Sequence, residues 1–144
     1  MKTGKPYKFG AFRFHREREF LYLTLPSGRR LAYHKPGYDK DGLFYHTEDS
    51  TSFNYVKKRT YGGRLVENCI QALARDLLAQ GILKLEERGW PVILTVHDEN
   101  VVQMHDGTKE ELAEINKIMC DVPDWAKGCP ITAEGFIAER YRKG

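Results

Sequence analysis

The chain has 144 residues, of which 41% are hydrophobic and 30% charged, enough for a globular fold with its own core. No apolar run approaches the length of a membrane span, and the start MKTGKPYKFG is basic without the apolar stretch of a secretory signal. The cysteines Cys69, Cys120 and Cys129 have no CxxC spacing, which argues for reduced thiols in a cytoplasmic protein rather than a disulfide framework or a zinc site. The net charge of +3 conceals an asymmetry: residues 1–64 hold 14 Lys/Arg against 6 Asp/Glu, a net of +8, and residues 65–144 hold 9 against 14, a net of −5. A basic half fits a polyanionic partner, most often nucleic acid, or a solvated basic surface with no partner.

Taken in chain order, the first half reads as β-structure. EFLYLTLPSGRRLAYHKP carries runs at Phe20–Leu25 and up to His34 around Pro26-Ser27-Gly28, with Pro26 where a type I turn wants a fixed φ and Gly28 closing the turn. KPGYDKDG, residues 35–42, reads as a loop, and LFYHTEDSTSFNYV as a second short hairpin around Glu48-Asp49-Ser50. From Arg64 to about Glu87 no proline intervenes. Apolar residues recur at Leu65, Val66, Cys69, Ile70, Leu73, Leu77, Ile82 and Leu85, a helical period. At ~1.5 Å per residue this is roughly 36 Å of helix. Gly62-Gly63 offers a flexible entry, and Gly89 a left-handed cap with Pro91 behind it.

A strand Val92–Val96, a polar HDEN tip and a strand Val101–Met104 follow. Asp106-Gly107 turns the chain, and Thr108 with Glu111 forms a capping box that opens a helix to about Cys120. That helix carries Leu112, Ile115, Ile118 and Met119 on one side. The tail CPITAEGFIAERYRKG offers one more short strand and a basic end. The expected fold class is α+β, antiparallel hairpins packed on a long helix in a single domain over residues 1–144, without internal repeats or low-complexity segments.

Two constellations carry chemistry. In VILTVHDENVV the residues 92–96 are apolar apart from Thr95, so that strand is expected to be covered on both faces or central in a sheet. A hairpin tip held by two such strands is rigid, as a metal site needs. Asp98 and Glu99 offer hard oxygen ligands suited to Mg²⁺ or Mn²⁺, and His97 a hydrogen bond to a phosphate or sugar. The same residues also suit an ordinary polar turn. In the long helix, Arg64, Asn68, Gln71 and Arg75 are spaced 4, 3 and 4, which puts them within about 60° on one face. Amides between arginines, where a solvated face would mix Glu and Lys, suit minor-groove acceptors and sugar oxygens without reading sequence.

YGGRLVENCIQALARDLL followed by PVILTVHDENVV resembles the family A DNA polymerases of phages. LPSGRRLAYHKP resembles the stretch preceding that helix, and DVPDWAKGCPITAEGFIAERYRK resembles the family's C-terminal end. The resemblance covers nearly the whole chain. It implies the C-terminal portion of a polymerase palm, with VHDE as motif C. Asp98 is then the aspartate that binds two catalytic Mg²⁺ ions, Glu99 shapes the site, and His97 lies near the primer terminus. Gln71 is the helix glutamine that contacts the minor groove of the nascent duplex. Arg64 and Asn68 follow the phage-type spacing. Asn100 stands where the family usually has an apolar residue, and Phe136 where it has an aromatic, often Trp. Motif A, with the second metal-binding aspartate, and motif B, the fingers helix that grips the incoming nucleotide, have no counterpart in this sequence, which begins about where the fingers end.

Two-metal phosphoryl transfer needs ligands that hold both ions and clamp the attacking and leaving oxygens. One aspartate with a neighbouring glutamate supplies part of such a set. The chain is therefore expected to bind a DNA primer-template and to meet the dNTP only through a missing fingers portion. It is expected to act with a complementary polymerase chain or as a homo-oligomer, away from membranes, in a bacterial host carrying the phage or prophage. A remnant of a prophage gene, a non-catalytic DNA-binding module, and a small Mg²⁺ nuclease using Asp98, Glu99 and another acid such as Asp106 stand as alternatives.

Overall fold

A computed structural model describes residues 6–141. The chain falls into two compact units, Met1–Leu73 and Ala74–Gly144. One long helix, α1 (Gly62–Glu87), contributes its first part to one unit and the rest to the other.

The first unit holds an antiparallel meander of six strands, each paired with its neighbours in sequence: β1 (Tyr7–Phe9), β2 (Phe12–Glu17), β3 (Phe20–Thr24), β4 (Arg30–Asp39), β5 (Gly42–Glu48) and β6 (Tyr55–Arg59). The β3–β4 connection forms as expected. The Gly28 N–H donates to the Leu25 carbonyl at 2.9 Å and the Leu25 N–H to the Arg29 carbonyl at 2.8 Å. Gly28 takes φ +89°. This is a type I turn closed by a left-handed glycine, a three-residue hairpin loop. The β5–β6 hairpin around Glu48-Asp49-Ser50 also forms, its loop held by Asp49, whose Oδ1 accepts from the Ser52 N–H at 2.8 Å.

The loop expected over residues 35–42 is mostly strand. β4 continues through Pro36 to Asp39 by way of a register shift between His34 and Gly37, and only Lys40-Asp41 turns the chain. A bulge is where a strand tolerates proline. Gly37 is required there because the Phe44 ring occupies the space its Cβ would take. Two strands unmarked by sequence reading, β1 and β2, extend the sheet at its N-terminal edge; the alternation in FRFHRE was the signal for β2.

Pleat alternation decides which residues form the core. Leu23, Leu25 and Tyr33 point to one face and are buried with Ala72 of α1, flanked by Phe12, Phe14, Leu21, Leu31, Leu65 and Cys69. Tyr33 meets Tyr45 edge-on with ring centroids 5.2 Å apart. Burial pushes the Tyr33 hydroxyl pKa up, opposed by the Asn68 amide that donates to it. Gly62 and Gly63, expected as a flexible entry, lie inside the first turn of α1.

In the second unit the end of α1 is set by a left-handed glycine. Gly89 has φ +81°, its N–H donates to the Glu86 carbonyl at 3.0 Å, and the Trp90 N–H donates to the Leu85 carbonyl at 2.9 Å. The two residues bridged by the second bond, Leu85 and Trp90, are both buried, with Ile115 and Ile118 of α2 (Lys109–Cys120). That is the apolar contact which accompanies such a cap. The capping box of α2 forms as expected: Glu111 N–H to Thr108 Oγ1 at 3.2 Å, Thr108 N–H to Glu111 Oε2 at 3.1 Å. Gly81 is buried against the Met119 thioether, which a Cβ there would meet. Lys84 Nζ donates to the Asp121 carbonyl and to its Oδ2, each at 2.6 Å.

Beyond α2 the chain makes one 3-10 turn, Asp124–Ala126, and is otherwise irregular to Tyr141. The strand expected in the tail does not form among the described residues. Pro130 removes a ladder donor, and no partner strand is offered. The basic end at Arg142 and Lys143 and the basic start of the chain lie outside the described residues. No helix among the described residues is long and apolar enough to cross a membrane.

Leu85→Ala, at a fully buried position, is expected to cost about 2–5 kcal/mol in a denaturant titration. The Lys84 ammonium holds the Asp121 carboxyl below the usual carboxylate range. Since the folded state then binds that proton more weakly than the unfolded chain, the pair stabilises above that range, and the contribution is lost as pH falls through the lowered value. Asp121→Asn should flatten the acid limb of stability measured between about pH 3 and pH 7.

Candidate functional site

The hairpin of β7 (Val92–Val96) and β8 (Glu99–Val102) is a two-stranded sheet. Val96 pairs with Glu99, leaving His97 and Asp98 as a two-residue turn. The polar tip is thus shorter than the four residues expected, because Glu99 and Asn100 already belong to the ladder. His97 takes φ +55° while Asp98 does not share the positive sign, the pattern of a turn whose first central residue is ordinarily glycine. A side chain held there costs roughly 1–3 kcal/mol, and such strain concentrates at functional sites.

Alternation separates the residues that follow. Asn100 turns toward α2, its amide donating to the Met119 sulfur at 3.4 Å, with Oδ1 buried and unpartnered among the described residues. Glu99, next along the strand, points to the opposite face and is exposed, as are His97 and Asp98. The expectation that β7 is covered on both faces is not met: Ile93 is 65% and Leu94 45% exposed. A hairpin of two strands has one face to bury, and its core contacts go through Val92, Val102 and Met104.

Among the described residues, no group of three or more His, Cys, Asp or Glu side chains could hold a metal ion. Adjacent carboxylates at Asp98 and Glu99 suit a hard cation as part of a donor set completed from elsewhere. Asp106 does not complete it. Its N–H is bound by the Glu111 carboxylate, about 3.2–3.3 Å away, in the turn before α2. The small-nuclease alternative, which needed Asp98, Glu99 and another acid such as Asp106, finds no third acid grouped with them among the described residues.

The polar stripe of α1 resolves residue by residue. In the first unit Arg64 is exposed, its guanidinium 6.0 Å from the Tyr61 ring centre, and Gln71 is exposed. Asn68 is half-buried and donates to Tyr33 Oη at 3.3 Å. It sits on the margin of the stripe next to Leu65 and Ala72, which explains its attachment to the core. In the second unit Arg75 is exposed. Phe136 is exposed in the irregular tail. What sequence reading missed on α1 is that Val66 and Ile70 form an apolar stripe of their own, about 130° round the helix from Leu65 and Ala72.

No described protein family matches the chain, and no solved structure does. Individual proteins do. The DNA polymerase of Bacillus phage SP02 is 41% identical over 150 residues, taking in 99% of this chain and 23% of the phage protein. The chain is homologous to part of a phage-type DNA polymerase. Two DNA polymerase I proteins of Helicobacter pylori strains are each 31% identical over 105 residues, 69% of this chain and 12% of theirs. This polymerase homologue therefore spans about a quarter of the length of its phage relative and less of the bacterial ones.

The strained turn gives a direct stability test on the polymerase homologue. His97→Gly should unfold at the same denaturant concentration as the parent or higher. His97→Val, β-branched at positive φ, should lose roughly 1–3 kcal/mol.

Proposed function

We propose that the chain is the C-terminal palm portion of a family A DNA polymerase and takes part in template-directed DNA synthesis in the cytoplasm of a phage- or prophage-bearing bacterium. The observation that carries this is VHDE on a two-residue turn between apolar strands, with Asp98 exposed at the tip, in a chain aligned along nearly its full length with a phage DNA polymerase.

In this reading Asp98 is a magnesium ligand, and Glu99 fixes the charge and shape of the site beside it. Magnesium, when bound, lowers the cost of charge developing on the phosphoryl oxygens. His97 lies by the primer terminus, where an imidazole can hydrogen-bond a phosphate or sugar. Gln71, Arg64 and Arg75 contact minor-groove acceptors and sugar oxygens of the primer-template, and Asn68 acts at the edge of that row while holding Tyr33. Such contacts position the duplex without selecting its sequence. The second aspartate and the groups that grip the dNTP come from outside these residues, since Asp98 and Glu99 alone make too small a donor set.

Primer extension with magnesium tests the proposal. The chain alone should extend nothing; co-expressed with the Bacillus phage SP02 polymerase lacking its homologous segment, it should restore extension. Asp98→Ala should reduce that activity about 10³-fold, several kcal/mol of transition-state stabilisation, while leaving duplex binding within about twofold. Extension by the chain alone, or full activity of Asp98→Ala, would overturn the reading. Duplex binding with no restored activity would favour the non-catalytic DNA-binding module.

A further inference from the structure

In the first unit the sheet is wider than the helix that covers it. Six strands spaced ~4.8 Å apart span roughly 24 Å, whereas a helix with its side chains is roughly 10 Å across. Beneath α1 the residues Leu23, Leu25 and Tyr33 are buried. Beside it an open groove of about 550 Å³ remains, floored by Phe12 and Phe14 of the sheet. Its walls are exposed apolar residues: Phe9 at 68% and Leu43 at 39% from the strands, Val66 at 58% and Ile70 at 60% from α1.

Val66 and Ile70 lie one helical turn apart, on a different side of α1 from the Leu65, Cys69 and Ala72 stripe that packs on the sheet. A helix apolar on two sides is built to be buried on both. Contiguous apolar surface of this kind on an otherwise charged protein marks an interaction site.

The alignment indicates what covers it. The match takes in 99% of this chain but 23% of the phage polymerase, so more than three quarters of that polypeptide lies outside the matched segment. A segment of a larger fold keeps the apolar face it turns toward the remainder. Arg16 also lines the groove, a cation that favours an acidic group on whatever enters.

We propose that the groove beside α1, centred on Val66 and Ile70, is the docking site for an apolar segment carrying an acidic residue opposite Arg16 and belonging to the remaining body of a phage-type DNA polymerase. This rests on the polymerase reading above and adds to it the surface through which the complement is held.

The test is co-expression of the tagged chain with the Bacillus phage SP02 polymerase lacking its homologous segment, followed by sedimentation of the purified pair. A 1:1 complex is expected. Val66→Glu with Ile70→Glu should weaken it at least about 100-fold while leaving the circular dichroism and thermal midpoint of the free chain unchanged, since both side chains are exposed. The free chain should bind the dye 1-anilinonaphthalene-8-sulfonate, and the double variant should lose most of that signal.

Asp98→Ala should dock like the parent, which separates docking from catalysis. Groove-dependent docking without restored extension would support this inference and sink the catalytic reading; restored extension with a complex indifferent to the double substitution would do the reverse. Absence of any complex, or a homodimer of the chain that is lost in the double variant while the polymerase body goes unbound, would overturn the inference.

Discussion

Ala72 and Leu85 lie on the same helix, and each is its buried member in a different core. α1 is 26 residues long, and burial of its successive apolar positions is the contact on which both units depend. Ala72 is small enough to bring the helix backbone onto Leu23, Leu25 and Tyr33. Leu85 does the opposite job, filling space among Trp90, Ile115 and Ile118. An isolated helix gains little from propensity alone; packing of its apolar stripes holds it. The polar row that accompanies those stripes is placed by the same periodicity, so the proposed DNA-facing residues are positioned by what the adjoining sides of the helix bury.

The cap at Gly89 extends that control to the hairpin. The left-handed glycine turns the chain, the Trp90 N–H closes back on Leu85, and Trp90 is locked into the core two residues before β7 begins. The Glu86 carboxylate takes the Val92 N–H at 2.6 Å, fixing the first residue of the strand. From there a two-residue turn is the shortest reversal available. It leaves His97 at a strained φ and Asp98 beside it in solvent. Of the two carboxylates on consecutive residues at this tip, Asp98 belongs to the turn and Glu99 to the ladder, and both are exposed. That arrangement suits a cation reached from outside the chain better than one enclosed within it.

The unsatisfied apolar surface belongs to the same picture. Ile93 and Leu94 on the hairpin, and Val66 and Ile70 on α1, are exposed in regular elements rather than scattered over loops. Each lies on an element whose other side is packed. Elements with two apolar sides, one of them covered, are the surfaces a docking partner would use.

Periodicity and turn chemistry were enough to read α1, α2, the hairpins at Pro26-Ser27-Gly28 and Glu48-Asp49-Ser50, the Gly89 cap and the capping box at Thr108, because each rests on residues within a few positions of one another. VHDE and the Arg64–Arg75 row were legible for the same reason. Tertiary structure alone decided the rest. It carried β4 through Pro36 by a bulge, because β5 offered a partner and Phe44 needed the space at Gly37. It left the tail without a strand, because no partner was at hand among the described residues. It tied Asn68 to Tyr33, which is distant in sequence. It also decided that Val66 and Ile70 stay uncovered, since a helical period marks every apolar position alike and only packing selects which of them find a neighbour.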